Sequence, residues 1–134
     1  MLWVVDGNNV MGAGADGWWN DRVGAAERLT QSIATWCRDH TDDVVVVFDG
    51  RPEERLSLLA GGNLEVGFAR RSGRDAADDR IVELVEERFA AEPDITFVTS
   101  DKGLRVRLPP GVDTEGAGAF RERIGLPARG GRRR

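Results

Sequence analysis

The sequence predicts an α/β fold, a three-layer α/β/α arrangement around a parallel sheet of four to five strands. Three observations predict it. Two apolar runs, Leu2 to Val5 and Val44 to Phe48, lack polar–apolar alternation and read as strands buried on both faces. Two longer segments, Asp21 to His40 and Asp75 to Ala91, carry apolar residues at helical spacing. Strands and helices alternate along the chain, the pattern of right-handed βαβ units.

The elements follow in order. Leu2 to Val5 is the first strand; it stops at Asp6, and Gly7, Asn8 and Asn9 read as a tight polar turn. Met11 to Asn20, rich in glycine, reads as a loop whose Trp18 and Trp19 either anchor the next helix or stack on bases. Asp21 can cap that helix, and Ala26, Leu29, Ile33, Trp36 and Cys37 form its apolar face. Val44 to Phe48 is the second strand, closed by Asp49-Gly50. Arg51 to Ala60 is a short helix or loop, and Leu64 to Phe68 a third strand. Arg70 to Arg74 is a basic loop before the second major helix, whose face is Ile81, Leu84, Val85 and Phe89. Ile95 to Thr99 is the fourth strand, followed by Ser100-Asp101. Lys102 to Leu108 suits a short helix, Val112 to Thr114 an edge strand, and Ala117 to Ile124 a last helix. One domain over 1–124 is expected, with 125–134 as a disordered basic tail.

Composition narrows the chemistry. The chain of 134 residues has ordinary globular usage, 40% hydrophobic and 31% charged. No apolar run approaches membrane-spanning length, and no basic segment precedes an apolar one, so no signal peptide is expected and a cytoplasmic setting is. The single Cys37 excludes an internal disulfide and reads as core; the single His40 reads as a surface residue. Net charge is −4, unevenly spread: residues 1–100 hold 10 basic and 19 acidic residues, and residues 101–134 hold 9 and 4. The basic C-terminal part can face a polyanion.

Carboxylates form the most informative pattern. Asp6, Asp49 and Asp101 each follow a predicted strand. A parallel sheet brings strand ends of one polarity to one edge, where open α/β sheets bind ligands. Asp75, Asp78 and Asp79 open the second major helix, at the same edge, and at least two of them share a face. Clustered carboxylates repel, and hard divalent cations with oxygen ligands offset that repulsion. Mg²⁺ suits a few carboxylates plus waters and phosphate oxygens. The competing readings are local: Asp6 bonding nearby amides, Asp49 as a turn residue, and the helix-opening aspartates as caps. A zinc site lacks its Cys/His cluster and a Ser-His-Asp triad lacks a placed histidine.

Asp6-Gly7-Asn8-Asn9, Val47-Phe48-Asp49, Ala77-Asp78 with Ile81, and Thr99-Ser100-Asp101 with Leu104 together resemble the NYN branch of the PIN-like nucleases, and within it the YacP-like NYN family. The likeness runs from the first residue to about Ile124. It implies strand order 3-2-1-4-5, an acidic site dependent on Mg²⁺ or Mn²⁺, and cleavage of RNA. It places the family's functional positions at Asp6, Asn9, Asp78 and Asp101, with Asp49 as a further metal candidate. Asn8 stands where that branch often has an aromatic ring.

The resulting expectation is metal-dependent hydrolysis of phosphodiester bonds in single-stranded RNA. Asp6, Asp78, Asp101 and Asp49 would hold metal, with Asp75 and Asp79 as secondary candidates. Asn8, Asn9 and Ser100 would meet phosphate oxygens or waters, and Arg70, Arg71 and Arg74, with the tail, would grip the backbone. The alternative for those arginines is a salt-bridge network with the acidic part of the chain. A haloacid-dehalogenase-type phosphotransferase needs a second Asp where this chain has Asn8, and no Gly-x-Gly-x-x-Gly follows a strand. A non-catalytic RNA-binding module on the same fold is the rival from another class, and a toxin ribonuclease a further variant.

Overall fold

The computed structural model describes residues 1–14, 17–69 and 76–127. The elements are β1 (Leu2–Asp6), α1 (Gly7–Gly12), α2 (Arg22–Cys37), β2 (Asp43–Asp49), α3 (Glu54–Ser57), β3 (Leu64–Ala69), α4 (Ala76–Ala91), β4 (Ile95–Val98), α5 (Lys102–Arg105), β5 (Asp113–Glu115) and α6 (Ala117–Arg123). Among the described residues the strands form one parallel sheet in the order β3-β2-β1-β4-β5, as the resemblance implied.

Alternation along the central strands divides the core. Trp3 and Val5 of β1, with Val44, Val46 and Phe48 of β2, pack with Ala26, Leu29 and Ile33 of α2 and Phe120 of α6. Leu2 and Val4, with Val45 and Val47, pack with Ile81, Val82 and Val85 of α4 and Leu104 of α5. The apolar runs lack alternation because each face meets a helix layer. Trp3, Trp36 and Phe120 meet edge-on or tilted, with centroids 5.2 to 6.0 Å apart.

Several local expectations change. Gly7-Asn8-Asn9 is not a turn but the opening of α1. Asp6 is extended (φ −76°, ψ 91°) and caps the helix, while Val10 and Met11 are buried and hold it to the core. Gly7 is required there: a Cβ would stand 2.7 Å from the Phe48 ring and 2.9 Å from the Val47 carbonyl oxygen. His40 is half-buried rather than on the surface, with its ring centroid 4.3 Å from that of Trp36. Asn63 causes this: its side-chain amide donates to the carbonyls of Cys37, His40 and Asp42 and pulls the chain inward after α2. Trp18 packs against the core beside α2, as an anchor does, whereas Trp19 is exposed.

Of the expected tail, residues 125–127 are held against the body. Leu126 packs on the core and donates its N–H to the Arg121 carbonyl, and Arg121 Nε donates to the Pro127 carbonyl at 2.6 Å. Residues 128–134, with Arg129 and Arg132 to Arg134, lie outside the described residues. No helix among the described residues is long and apolar enough to cross a membrane.

Candidate active site

The site lies at the C-terminal edge of the sheet, where β1 is flanked by β2 on one side and β4 on the other. The crossovers from those strands leave toward opposite faces, and such a switch point opens a crevice. The register continues the arrangement. Val5 pairs with Val98, so the next residues, Asp6 and Thr99, come together. Thr99 Oγ1 donates to Asp6 Oδ2 at 3.0 Å, and the Asn9 N–H approaches Asp6 Oδ1 at 3.4 Å. Asp6 therefore performs the capping role that competed with a functional one, while also lining a cleft of about 270 Å³.

Asp6, Asp49, Asp78 and Asp101 all line that cleft, with Asn8, Asn9, Val47 and Ile81. The pleat explains the convergence. Asp6 follows Val4, and Asp49 follows Val47, on the alternation that faces α4. Asp78 is in the first turn of α4 and Ile81 one turn on. Asp101 reaches the same edge as the N-cap of α5, its Oδ1 accepting from the Leu104 N–H at 3.2 Å. No basic side chain among the described residues lines the cleft.

The charge balance shows at Asp6. Burial pushes its carboxyl up from 3.8 to about 6; the Thr99 and Asn9 hydrogen bonds pull it down, and the negative charges of Asp78 and Asp101 raise it. Nevertheless, among the described residues no three carboxylate, histidine or cysteine side chains stand together as a ready ligand group for one ion. Two of the four carboxylates are committed to capping amides, and like charges keep their distance. The donors are hard oxygens around a space with room for several waters, a set suited to Mg²⁺ or Mn²⁺ that retains waters between some ligands and the ion.

The two asparagines act as clamps. Asn8 Oδ1 accepts from the Asp49 N–H at 2.7 Å, tying α1 to the end of β2. Asn9 Oδ1 accepts from the Ser100 N–H at 2.8 Å, tying α1 to the segment after β4. With both carbonyl oxygens engaged, the amide NH₂ groups are the donors these residues offer the cleft.

Not every expected residue gathers here. Ser100 uses its hydroxyl to accept from the Ala117 N–H at 2.9 Å and does not line the cleft. Asp79 points away and pairs with Arg107 at 2.7 Å. Arg70, Arg71, Arg74 and Asp75 lie outside the described residues. Thr99 was not anticipated as a site residue. Its buried hydroxyl joins Asp6 to the Asp101 N–H, which donates to Thr99 Oγ1 at 3.2 Å, and Arg105 donates twice to its carbonyl, at 2.7 and 3.0 Å. The signals were its place directly after the fourth strand's apolar run and its membership of the Thr99-Ser100-Asp101 motif, which gave it no role of its own.

The family model for the YacP-like NYN domain matches residues 3–108. Among solved structures the chain is similar to Rae1 (YacP) from Bacillus subtilis, with TM-score 0.74 and 23% identity over 92% of this chain and 73% of that one. A mutant of the same protein gives TM-score 0.72 and 25% identity over 92% and 74%. A more distant likeness, to the T5 D15 protein co-crystallised with metal ions, has TM-score 0.50 and 15% identity over 86% and 53%. No curated protein sequence matches the chain.

Proposed function

The chain belongs to the YacP-like NYN domain family of PIN-like nucleases, and from that membership we propose that it is an endoribonuclease acting on single-stranded RNA at the acidic cleft. One observation carries the reading: four carboxylates from separate segments of the chain line one cleft that no basic side chain among the described residues enters. Such a cleft repels a phosphodiester unless a cation mediates. A divalent ion, Mg²⁺ or Mn²⁺, would be held by Asp6, Asp78 and Asp101, with Asp49 at the margin. When bound it would neutralise the phosphate and make a water acidic near neutral pH.

The remaining work falls to the chain itself. Asn8 and Asn9 would donate their amide NH₂ groups to phosphate oxygens while their carbonyls hold the edge of the site together. Thr99 would hold Asp6 in place through its hydroxyl and Asp101 through the backbone. Arg70, Arg71, Arg74 and the arginines beyond 128 would attract the RNA backbone without sequence preference. A single domain over 1–124 with a basic tail, and a cytoplasmic setting, belong to the same reading and rest on the sequence.

The test is incubation of the purified chain with a mixed single-stranded RNA pool and Mn²⁺, with and without EDTA. Cleavage that EDTA abolishes is the expected result. RNA binding with no cleavage under any metal would favour the non-catalytic binding module instead.

A further inference from the structure

A second cleft, also about 270 Å³, adjoins the acidic one. Its floor is apolar: Met11, Phe48 and Leu56 are buried. Phe68 is partly exposed at its wall, with its ring centroid 6.4 Å from that of Phe48 and the planes tilted by 33°. Arg22 and Arg51 stand at the rim with Glu53. Asn8 and Asp49 line both clefts, so the two are neighbours that meet at these residues, at the ends of β1 and β2.

We propose that this second cleft is a base-binding slot, taking the nucleobase of a nucleotide adjacent to the scissile phosphate, with Arg51 and Arg22 on the neighbouring backbone phosphate. The proposal rests on the nuclease reading of the acidic cleft and adds to it the place where a base of the substrate is held. The chemistry selects the occupant. A base offers a flat apolar face to Phe68 and the floor, and polar edges to the rim; stacking of this kind tolerates every base. A phosphate follows each base in a strand, and both arginines are exposed. Arg22 already lies over the Trp18 ring, 5.8 Å from its centroid. Arg51 makes no hydrogen bond or ion pair among the described residues. An apolar peptide side chain would fill the floor but leave the charged rim unmatched. The shared residues Asn8 and Asp49 put the slot beside the cleft whose carboxylates would serve the phosphate.

Binding and cleavage test this separately. The full chain is titrated with the four nucleoside 5′-monophosphates, with ribose 5-phosphate and inorganic phosphate as controls. The reporters are the chemical shifts of the Met11 methyl and the Phe68 ring. Nucleotides should move both signals and the controls should not. Phe68→Ala should weaken nucleotide binding at least fivefold, and Arg51→Ala, an exposed change that leaves the core intact, at least threefold. Equal shifts with ribose 5-phosphate, or wild-type affinity in both variants, would overturn the slot. In the cleavage arm, RNAs carry one abasic ribose at successive positions around a mapped cut. Wild-type cleavage should fall about tenfold at one flanking position, while Phe68→Ala loses little more there. If the wild type cleaves no RNA yet nucleotides still move Met11 and Phe68, the slot stands and the nuclease reading falls. If RNA is cut, no nucleotide shifts the slot and every abasic position is tolerated, the slot falls and the nuclease reading stands.

Discussion

Asp6 carries the sharpest consequence of burying a carboxylate at a strand end. Its carboxyl titrates near about 6 in the folded chain, against 3.8 for the ordinary group. Between those values the unfolded chain has released the proton and the folded chain keeps it. The folded state then binds more protons, so stability contributed by this group is full below about 4 and declines as pH rises toward 6 and above. The shift corresponds to a loss on the order of 2–3 kcal/mol without metal. Asp6→Asn should remove this decline, whatever constant offset the substitution adds. Denaturant unfolding in EDTA from pH 4 to 7.5 measures it, and parallel pH profiles for the two proteins would contradict it. At this scale the sequence was only half legible. That Asp6, Asp49, Asp78 and Asp101 share an edge follows from strand polarity and helix spacing. That Asp79 turns out to Arg107, and that Thr99 joins Asp6 to Asp101, depends on side-chain direction and strand register, which no local pattern encodes.

The short helices show how elements and site share residues. Asp101 both lines the cleft and caps α5, and the substitutions separate the two roles. Asp101→Asn keeps a good cap and should retain stability within about 0.5 kcal/mol, yet lose RNA cleavage. Asp101→Ala should lose both, with a stability cost of about 1 kcal/mol. Thermal melts beside a cleavage assay decide this. An Asp101→Asn protein that cleaves like wild type would leave the residue a cap only. The strands were legible because runs such as Val44 to Phe48 have few alternatives to a doubly buried strand. Helix α1 was not, because Gly7-Asn8-Asn9 carries turn chemistry locally. What overrides it is tertiary: Val10 and Met11 bury into the core, the close approach of Phe48 demands Gly7, and each asparagine clamps a neighbouring strand end.

For the whole molecule, the parallel order β3-β2-β1-β4-β5 does the assembling. It sets residues far apart in sequence along one edge and leaves the acidic cleft and the apolar slot side by side. Electrostatics then has two parts, an acidic body and arginines concentrated toward the C-terminus. Removing residues 128–134 should weaken RNA binding and flatten its salt dependence, by up to about 0.7 log units for each phosphate the tail neutralises. Thermal stability should be unchanged. Binding isotherms at several salt concentrations read this directly, and an unchanged slope would mean that the tail does not touch RNA. In the proposed function Asp6, Asp78 and Asp101 act as one site for phosphodiester hydrolysis. The most direct measurement is the single-turnover rate of cleavage of one RNA in Mn²⁺ by wild type and by Asp6→Asn, Asp78→Asn and Asp101→Asn, each checked for native circular dichroism. A loss of at least about 100-fold is expected in every variant, with RNA affinity retained, as when transition-state stabilisation alone is removed. A natively folded variant that cleaves at the wild-type rate would contradict it.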